Sequence, residues 1–187
     1  MELKAVLETS RIRLRPFTTR DLNVVAEMVE DEEQMRFYPR PRTRDEASAW
    51  IDRNLSLYEE HGYGIWFIES FETSEFLGYS GVRPIAVEGV DETEIGWHTR
   101  KKFWGQGFAT EAAGACRDLA FERLGAQRLI ALIDPTNAAS VRVAEKIGMQ
   151  PEREAVVDDY ACVIYVVEAG PSPERRYSIS RGSGDFG

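Results

Sequence analysis

Arg128-Leu129-Ile130-Ala131-Leu132-Ile133 is apolar at every position after the first. Six residues make an ordinary strand and a poor helix, and the absence of alternation marks a strand buried on both faces. Such a strand needs cover on two sides. Ala109 to Leu124 reads as a helix, with Ala109, Ala113, Cys116, Ala120 and Leu124 on one apolar face. Thr136 to Ile147 reads as another, stopped by Gly148. The core is therefore that of a mixed α/β domain with helices packed on a sheet.

Upstream, Arg11-Ile12-Arg13-Leu14-Arg15 alternates with period two up to Pro16, as a half-buried strand does. Thr18 or Thr19 suits a helix N-cap, with Leu22, Val25 and Met28 following at helical spacing. The prolines of Tyr38-Pro39-Arg40-Pro41-Arg42 predict an extended linker. Thr43 and Glu46 form a capping-box pattern that opens a helix through Trp50, Ile51, Leu55 and Tyr58 to about Gly62. Strands are expected at 64–69, 76–82 and 93–99, separated by acidic turns, and a last strand or strand pair at 155–167. Residues 1–169 read as one domain. Of residues 170–187, ten of eighteen are Gly, Ser or Pro, so this segment reads as a tail, and Arg175, Arg176 and Arg181 within it carry only a weak case for partner binding.

The net charge of −9 argues against nucleic acid or an anionic membrane as partner. No apolar run is long enough to span a bilayer, and the first ten residues hold no secretory signal core. Cys116 and Cys162 flank no metal-ligand pattern, so neither a metal site nor a disulfide scaffold is expected, and a reducing cytoplasm fits best. Charge is uneven: 68–94 has seven acids and one base, Arg83, whereas 99–146 has eight bases and five acids. The acidic stretch suits a cationic partner and the basic one an anion, and solvated loops and helix faces explain both as well.

Trp104-Gly105-Gln106-Gly107-Phe108-Ala109-Thr110-Glu111 joins a strand to the first of the two late helices. Its glycines and Ala109 let backbone approach a ligand, and the helix N-terminus behind them offers free N–H groups to a phosphate. The bland alternative is a tight turn that lets a helix pack closely. No Walker Gly-Lys-Ser/Thr is present. A dinucleotide fingerprint fits poorly, since Thr110 stands where a third Gly or Ala belongs and five residues separate the strand from the glycines.

Glu94-Ile95-Gly96-Trp97, then Trp104 to Ala112, then Asn137 to Met149 resemble, in order and spacing, the GCN5-related N-acetyltransferase (GNAT) superfamily. They are most similar to its ribosomal-protein alanine N-acetyltransferase branch, the RimJ/RimL-like proteins. The likeness covers roughly residues 8–168 and includes Gly78-Tyr79-Ser80-Gly81. It implies a mostly antiparallel twisted sheet with a splayed parallel strand pair, about four flanking helices, and acetyl-CoA as co-substrate.

The resemblance also implies roles. Trp104, Gly105, Gln106, Gly107, Phe108, Ala109 and Thr110 would wrap the CoA pyrophosphate, with Trp104 where the family usually has Arg or Gln. Lys101, Lys102 and Arg142 could add charge. The main chain of Trp97, His98 and Thr99 would pair with the pantetheine amides and stabilise the oxyanion. An alkylamine of pKa about 10 must lose a proton. Glu94 is the first candidate base, His98 the second, and Asp158 or Asp159 a third. No Tyr lies between Asn137 and Met149, so Ser140 is the candidate acid for the CoA thiolate, beside Asn137 as a CoA ligand. Asn137 and Ser140 equally suit a helix cap and its first turn. Cys116 reads as core, not nucleophile.

The chain is thus read as an N-acetyltransferase acting by direct attack in a ternary complex. The acceptor amine is left open among a protein N-terminus, an amino acid, a polyamine and an aminoglycoside. The helix from Trp50 to Tyr58 and the Tyr38–Pro41 linker would line the acceptor side. Alternatives are a catalytically inactive acetyl-CoA sensor and, remotely, a nicotinamide oxidoreductase. The resemblance is compatible with a homodimer, which no residue pattern marks.

Overall fold

The computed structural model describes residues 7–157 and 160–170. The tail and the base candidates Asp158 and Asp159 lie outside the described residues, apart from Gly170. The strands are β1 (Leu7–Glu8), β2 (Ile12–Arg15), β3 (Ile65–Ser70), β4 (Phe76–Val87), β5 (Val90–Thr99), β6 (Arg128–Ile133), β7 (Gln150–Val157) and β8 (Tyr160–Glu168). They form one sheet in the order β1-β2-β3-β4-β5-β6-β8-β7, antiparallel except where β5 meets β6. The helices are α1 (Leu22–Glu30), α2 (Arg44–His61), α3 (Phe108–Glu122) and α4 (Ala138–Lys146).

Two cores cover the sheet from opposite sides. Leu129, Ala131 and Ile133 of β6 and Ile95 of β5 pack with Ala112, Ala113, Cys116 and Ala120 of α3 and Ala144 of α4. The small α3 residues let the helix sit close to the strands. The buried α3 stripe includes Ala112 and Leu119, while Leu124 lies beyond the helix and is exposed. On the other side Phe17, Met28, Met35, Ile51 and Phe67 join α1 and α2 to β3. Ile130 of β6 faces a third cluster with Val87, Ala155, Cys162 and Ile164, so β6 is buried on both faces as its composition dictates. The two cysteines are free and buried.

Local signals act as their chemistry requires. Thr43 Oγ1 accepts from Glu46 N at 3.3 Å and Thr43 N donates to Glu46 Oε2 at 2.8 Å, the reciprocal cap of α2. Gly62, at φ 75°, ends that helix. The expected acidic turns between strands are only partly there. β4 and β5 form one hairpin of ten residue pairs, and Asp91 and Glu92 are strand residues. Its turn is Glu88-Gly89, both at positive φ, the primed geometry that matches strand twist. Pro84 is tolerated within β4 because β4 has no β3 partner beyond Val82. Gly78, at φ 144°, sits where a Cβ would come 2.1 Å from the His98 carbonyl oxygen.

Candidate active site

β5 and β6 share one register pair, Glu94 opposite Ile130, and part beyond it. β5 stays on β4, so its main chain from Ile95 to Thr99 has no strand partner on the β6 side. Backbone polar groups left this way need a ligand or water. The parting opens a cleft of about 420 Å³, the size of a small-molecule site. β5 contributes Trp97, His98 and Thr99 to its lining, and the turn contributes Trp104, Gly105 and Gly107. α3 adds Phe108, Ala109 and Thr110, and α4 adds Asn137 and Ser140. Of the candidate cofactor residues, Gln106 alone is not in the lining; its carbonyl accepts from Arg11 Nη1 at 3.0 Å.

Gly107 is the N-cap of α3, at φ 84°, and has no side chain to occupy the helix end. The first helical bond is Glu111 N to Gly107 O at 3.0 Å, which leaves the N–H groups of Phe108, Ala109 and Thr110 outside the helical ladder at the cleft. Together with the helix dipole they make an anion site. Arg11 fixes this turn from β2's end: it donates to Gln106 O, pairs with Glu111 at 2.5 Å and lies over the Phe108 ring. Burial alone would raise the Glu111 carboxyl; hydrogen bonds from Thr9 and Arg11 outweigh it and hold the pKa below the usual range. Trp104 closes the turn onto β5 by donating Nε1–H to Thr99 O at 2.8 Å. That bond accounts for an indole where the resemblance has Arg or Gln.

The cations differ from the expectation. Lys101 is held by Asp31 at 2.7 Å and Lys102 by Glu75, and neither lines the cleft. Arg142 does, as do Arg36 and Lys146, which the sequence reading missed. Arg36 lies 5.3 Å from the Trp104 ring, 68 residues away in sequence, and no local pattern announces that meeting. Asn137 Oδ1 accepts from Ser140 N at 3.1 Å, so Asn137 caps α4 and faces the cleft at once. The Ser140 hydroxyl makes no hydrogen bond among the described residues.

Glu94, Gly96 and His98 alternate onto the opposite face of β5 from Ile95, which is packed under α3. Glu94 does not line the cleft; it sits at the strand fork, its carboxylate 2.5 Å from Arg83 Nε across β4. His98 stacks on Tyr38 with ring centroids 5.6 Å apart, and its Nδ1 is hydrogen-bonded to Tyr79 Oη at 3.1 Å. Burial lowers the His98 pKa to about 4; the Gln34 main chain opposes this and the Arg42 charge adds to it. Burial also raises Tyr79 well above 10, so both partners of this hydrogen bond are neutral. Trp50 of α2 packs on Tyr79, whereas the Tyr58 hydroxyl binds the Ile65 carbonyl and serves the fold. Cys116 is pushed up to about 12 by burial, as an inert core thiol is. The acidic stretch is largely consumed: Glu69, Glu75, Glu88, Glu92 and Glu94 all pair with bases of neighbouring segments.

A nicotinamide site has no support here: β5, α3 and β6 do form a parallel crossover, but the 3-10 turn Lys101–Phe103 separates β5 from the glycines and the two strands share only one register pair. The unpaired β5 edge, the free N–H groups of α3 and the cations fit acetyl-CoA, whose amides and phosphates need those partners. Among the described residues, no helix is long and apolar enough to cross a membrane.

Residues 11–150 match the acetyltransferase (GNAT) domain family. YkkB, an uncharacterised protein of Bacillus subtilis, is 38% identical over 150 residues, covering 80% of this chain and 87% of its own. An acetyltransferase structure from Agrobacterium tumefaciens superposes with TM-score 0.79 at 27% identity, covering 90% of this chain and 96% of that one. RimL, a ribosomal L7/L12 α-N-protein acetyltransferase solved with coenzyme A, shares the fold at TM-score 0.72 and 16% identity, over 88% and 98% of the two chains. The chain belongs to the GNAT family and is an N-acetyltransferase whose co-substrate is acetyl-CoA.

Proposed function

We propose that the chain transfers acetyl from acetyl-CoA to a primary amine by direct attack in a ternary complex. The observation that carries the reading is the fork of β5 from β6 beyond Glu94, facing the free N–H groups at the start of α3. The α3 amides, with Arg36, Arg142 and Lys146, hold the phosphates, and the main chain of Trp97 and His98 holds the pantetheine arm and polarises the thioester carbonyl. Thr99 O already accepts from Trp104, so the pairing centres on the two residues before it. The nitrogen forms a bond to the acetyl carbon, the carbon–sulfur bond breaks, the amine gives up one proton and sulfur gains one. Glu94 at the fork takes the first proton through solvent and Ser140 supplies the second, with Asn137 holding the turn of α4 beside the thioester. His98, neutral and engaged by Tyr79, is a weaker base and serves to shape the acceptor side.

Calorimetric titration with acetyl-CoA, with NADH as control, tests the first half. Binding of acetyl-CoA alone is expected, and its failure with a folded protein overturns the assignment. Amine-dependent thiol release tests the second half. Glu94→Gln should lower kcat about 100-fold, within the range for a lost general base, while leaving acetyl-CoA affinity intact. Binding without turnover of any amine would instead favour a sensing role.

A further inference from the structure

Six arginines are half-buried among the described residues. Five of them, Arg13, Arg15, Arg100, Arg117 and Arg128, lie within salt-bridge distance of a carboxylate. Arg42 has no carboxylate there, and no hydrogen bond to its guanidinium is formed among the described residues. A guanidinium taken partly from water needs a fork of acceptors to offset its desolvation.

Its place in the fold says where those acceptors would come from. Arg42 ends the linker that carries Tyr38, and its N–H is tied to Val29 O at 2.9 Å. Tyr38 stacks on His98 at the cleft, and the Arg42 charge acts on Tyr38, Tyr79 and His98 alike. The same face holds Gly96, where a Cβ would meet nothing within 4 Å, flanked by Glu94 and His98. That face runs from the fork at Glu94 to His98, the residue on it that the Arg42 charge acts on. Glu94 is matched by Arg83, and the other carboxylates of the acidic stretch are mostly paired, so little negative charge remains to attract a polycation.

We propose that Arg42 binds a carboxylate of the acceptor, so that the substrate class is an amine bearing its own nearby carboxylate, and not a polyamine or an aminoglycoside. This rests on the acetyltransferase reading and narrows its acceptor. The anchor sets the amine over Gly96 toward the fork and takes no part in the bond exchange itself.

Thiol release is measured with free amino acids and with their carboxamides, which keep the amine and lose the charge. Peptides beginning Ala-Asp and Ala-Asn, and spermidine, complete the panel. Losing a charge-assisted pair should lower kcat/KM by about 10- to 100-fold on amidation. Arg42→Ala should collapse the acid-to-amide ratio toward one, and Arg42→Lys should restore part of it. Preference for free amino acids or for Ala-Asp peptides tells whether the carboxylate belongs to a small molecule or a protein terminus; either supports the proposal. Equal use of acids, amides and spermidine overturns it. So does an equal loss for acid and amide in Arg42→Ala, the result expected if Asp158 or Asp159 holds this arginine; Asp158→Asn with Asp159→Asn would then reproduce that loss. If no amine on the panel turns over, the CoA-bound protein is titrated with alanine and alaninamide, and equal affinity overturns the proposal. Failure to bind acetyl-CoA at all strikes the acetyltransferase reading instead, which separates the two.

Discussion

Two glycines on facing strands do different work, and the difference is measurable. Gly78 is pressed against the His98 carbonyl at a φ that side chains avoid, so Gly78→Ala must push β4 from β5 at the point where His98 is set. A loss of more than about 3 kcal/mol is expected in urea unfolding, the scale of strain combined with steric overlap in a core strand. Gly96 meets open space, so Gly96→Ala should change stability by less than about 1 kcal/mol. Its methyl would instead enter the acceptor side, raising KM for the amine while sparing acetyl-CoA affinity. The same contrast shows what a sequence discloses at this scale. Gly105 and Gly107 stand in a motif whose pattern points to a phosphate, and they line the cleft as that pattern requires. Arg42 stands in a linker with no pattern at all, and its significance arises only in three dimensions, where no carboxylate among the described residues meets it. The Lys101-Lys102 pair looked available in sequence and is not, because acids from α1's exit and from the β3–β4 turn reach it.

Elements were legible where one local interaction decides them. The α2 cap, its Gly62 stop and the doubly buried β6 all follow from neighbouring residues. The length of the β4–β5 hairpin was not legible, since Glu88-Gly89 is a weak turn signal and Pro84 reads as a break until the missing β3 partner is known. Nor was the bolt between the 31–42 segment and the cofactor turn. Gln34 is 7% exposed; its Oε1 accepts from Lys101 N at 2.9 Å and its Nε2 donates to Met28 O at 3.1 Å. That side chain fixes Arg36 on the cofactor side and Tyr38 on the acceptor side with one amide. Gln34→Leu would leave a buried donor and a buried acceptor unpaired, a destabilisation of about 2–4 kcal/mol. It should also raise KM for both substrates together, where a change confined to one pocket would raise only one. Steady-state kinetics with each substrate varied in turn distinguishes the two.

For the whole molecule, protonation links the site to stability, and the two ends of the acid range have different origins. His98 is held neutral by burial among Tyr38 and Tyr79, with Arg42 nearby, at a pKa of about 4 against 6.5 when exposed. The unfolded chain therefore binds a proton that the native chain refuses. The sign follows: the native state keeps its full advantage above pH 6.5 and loses it as pH falls toward 4. One group shifted this far removes about 3 kcal/mol over that window, nearly 1.4 per pH unit at its steepest. Carboxylates enter lower down. Burial would raise Asp21, but the Arg15 hydrogen bond, the Thr18 N–H and the Arg15 charge prevail, and Glu111 is depressed in the same manner by Thr9 and Arg11. Their contribution is present above the ordinary carboxylate pKa and fades only as pH drops through the lower native values. Urea unfolding between pH 4 and 7 should thus slope throughout in wild type and lie nearly flat in His98→Gln from 6.5 to about 5, with wild type still falling the more steeply of the two down to about pH 4. A slope unchanged by His98→Gln would mean that the imidazole is solvated, and that the Tyr38–Tyr79 cover over the acceptor side is open in solution.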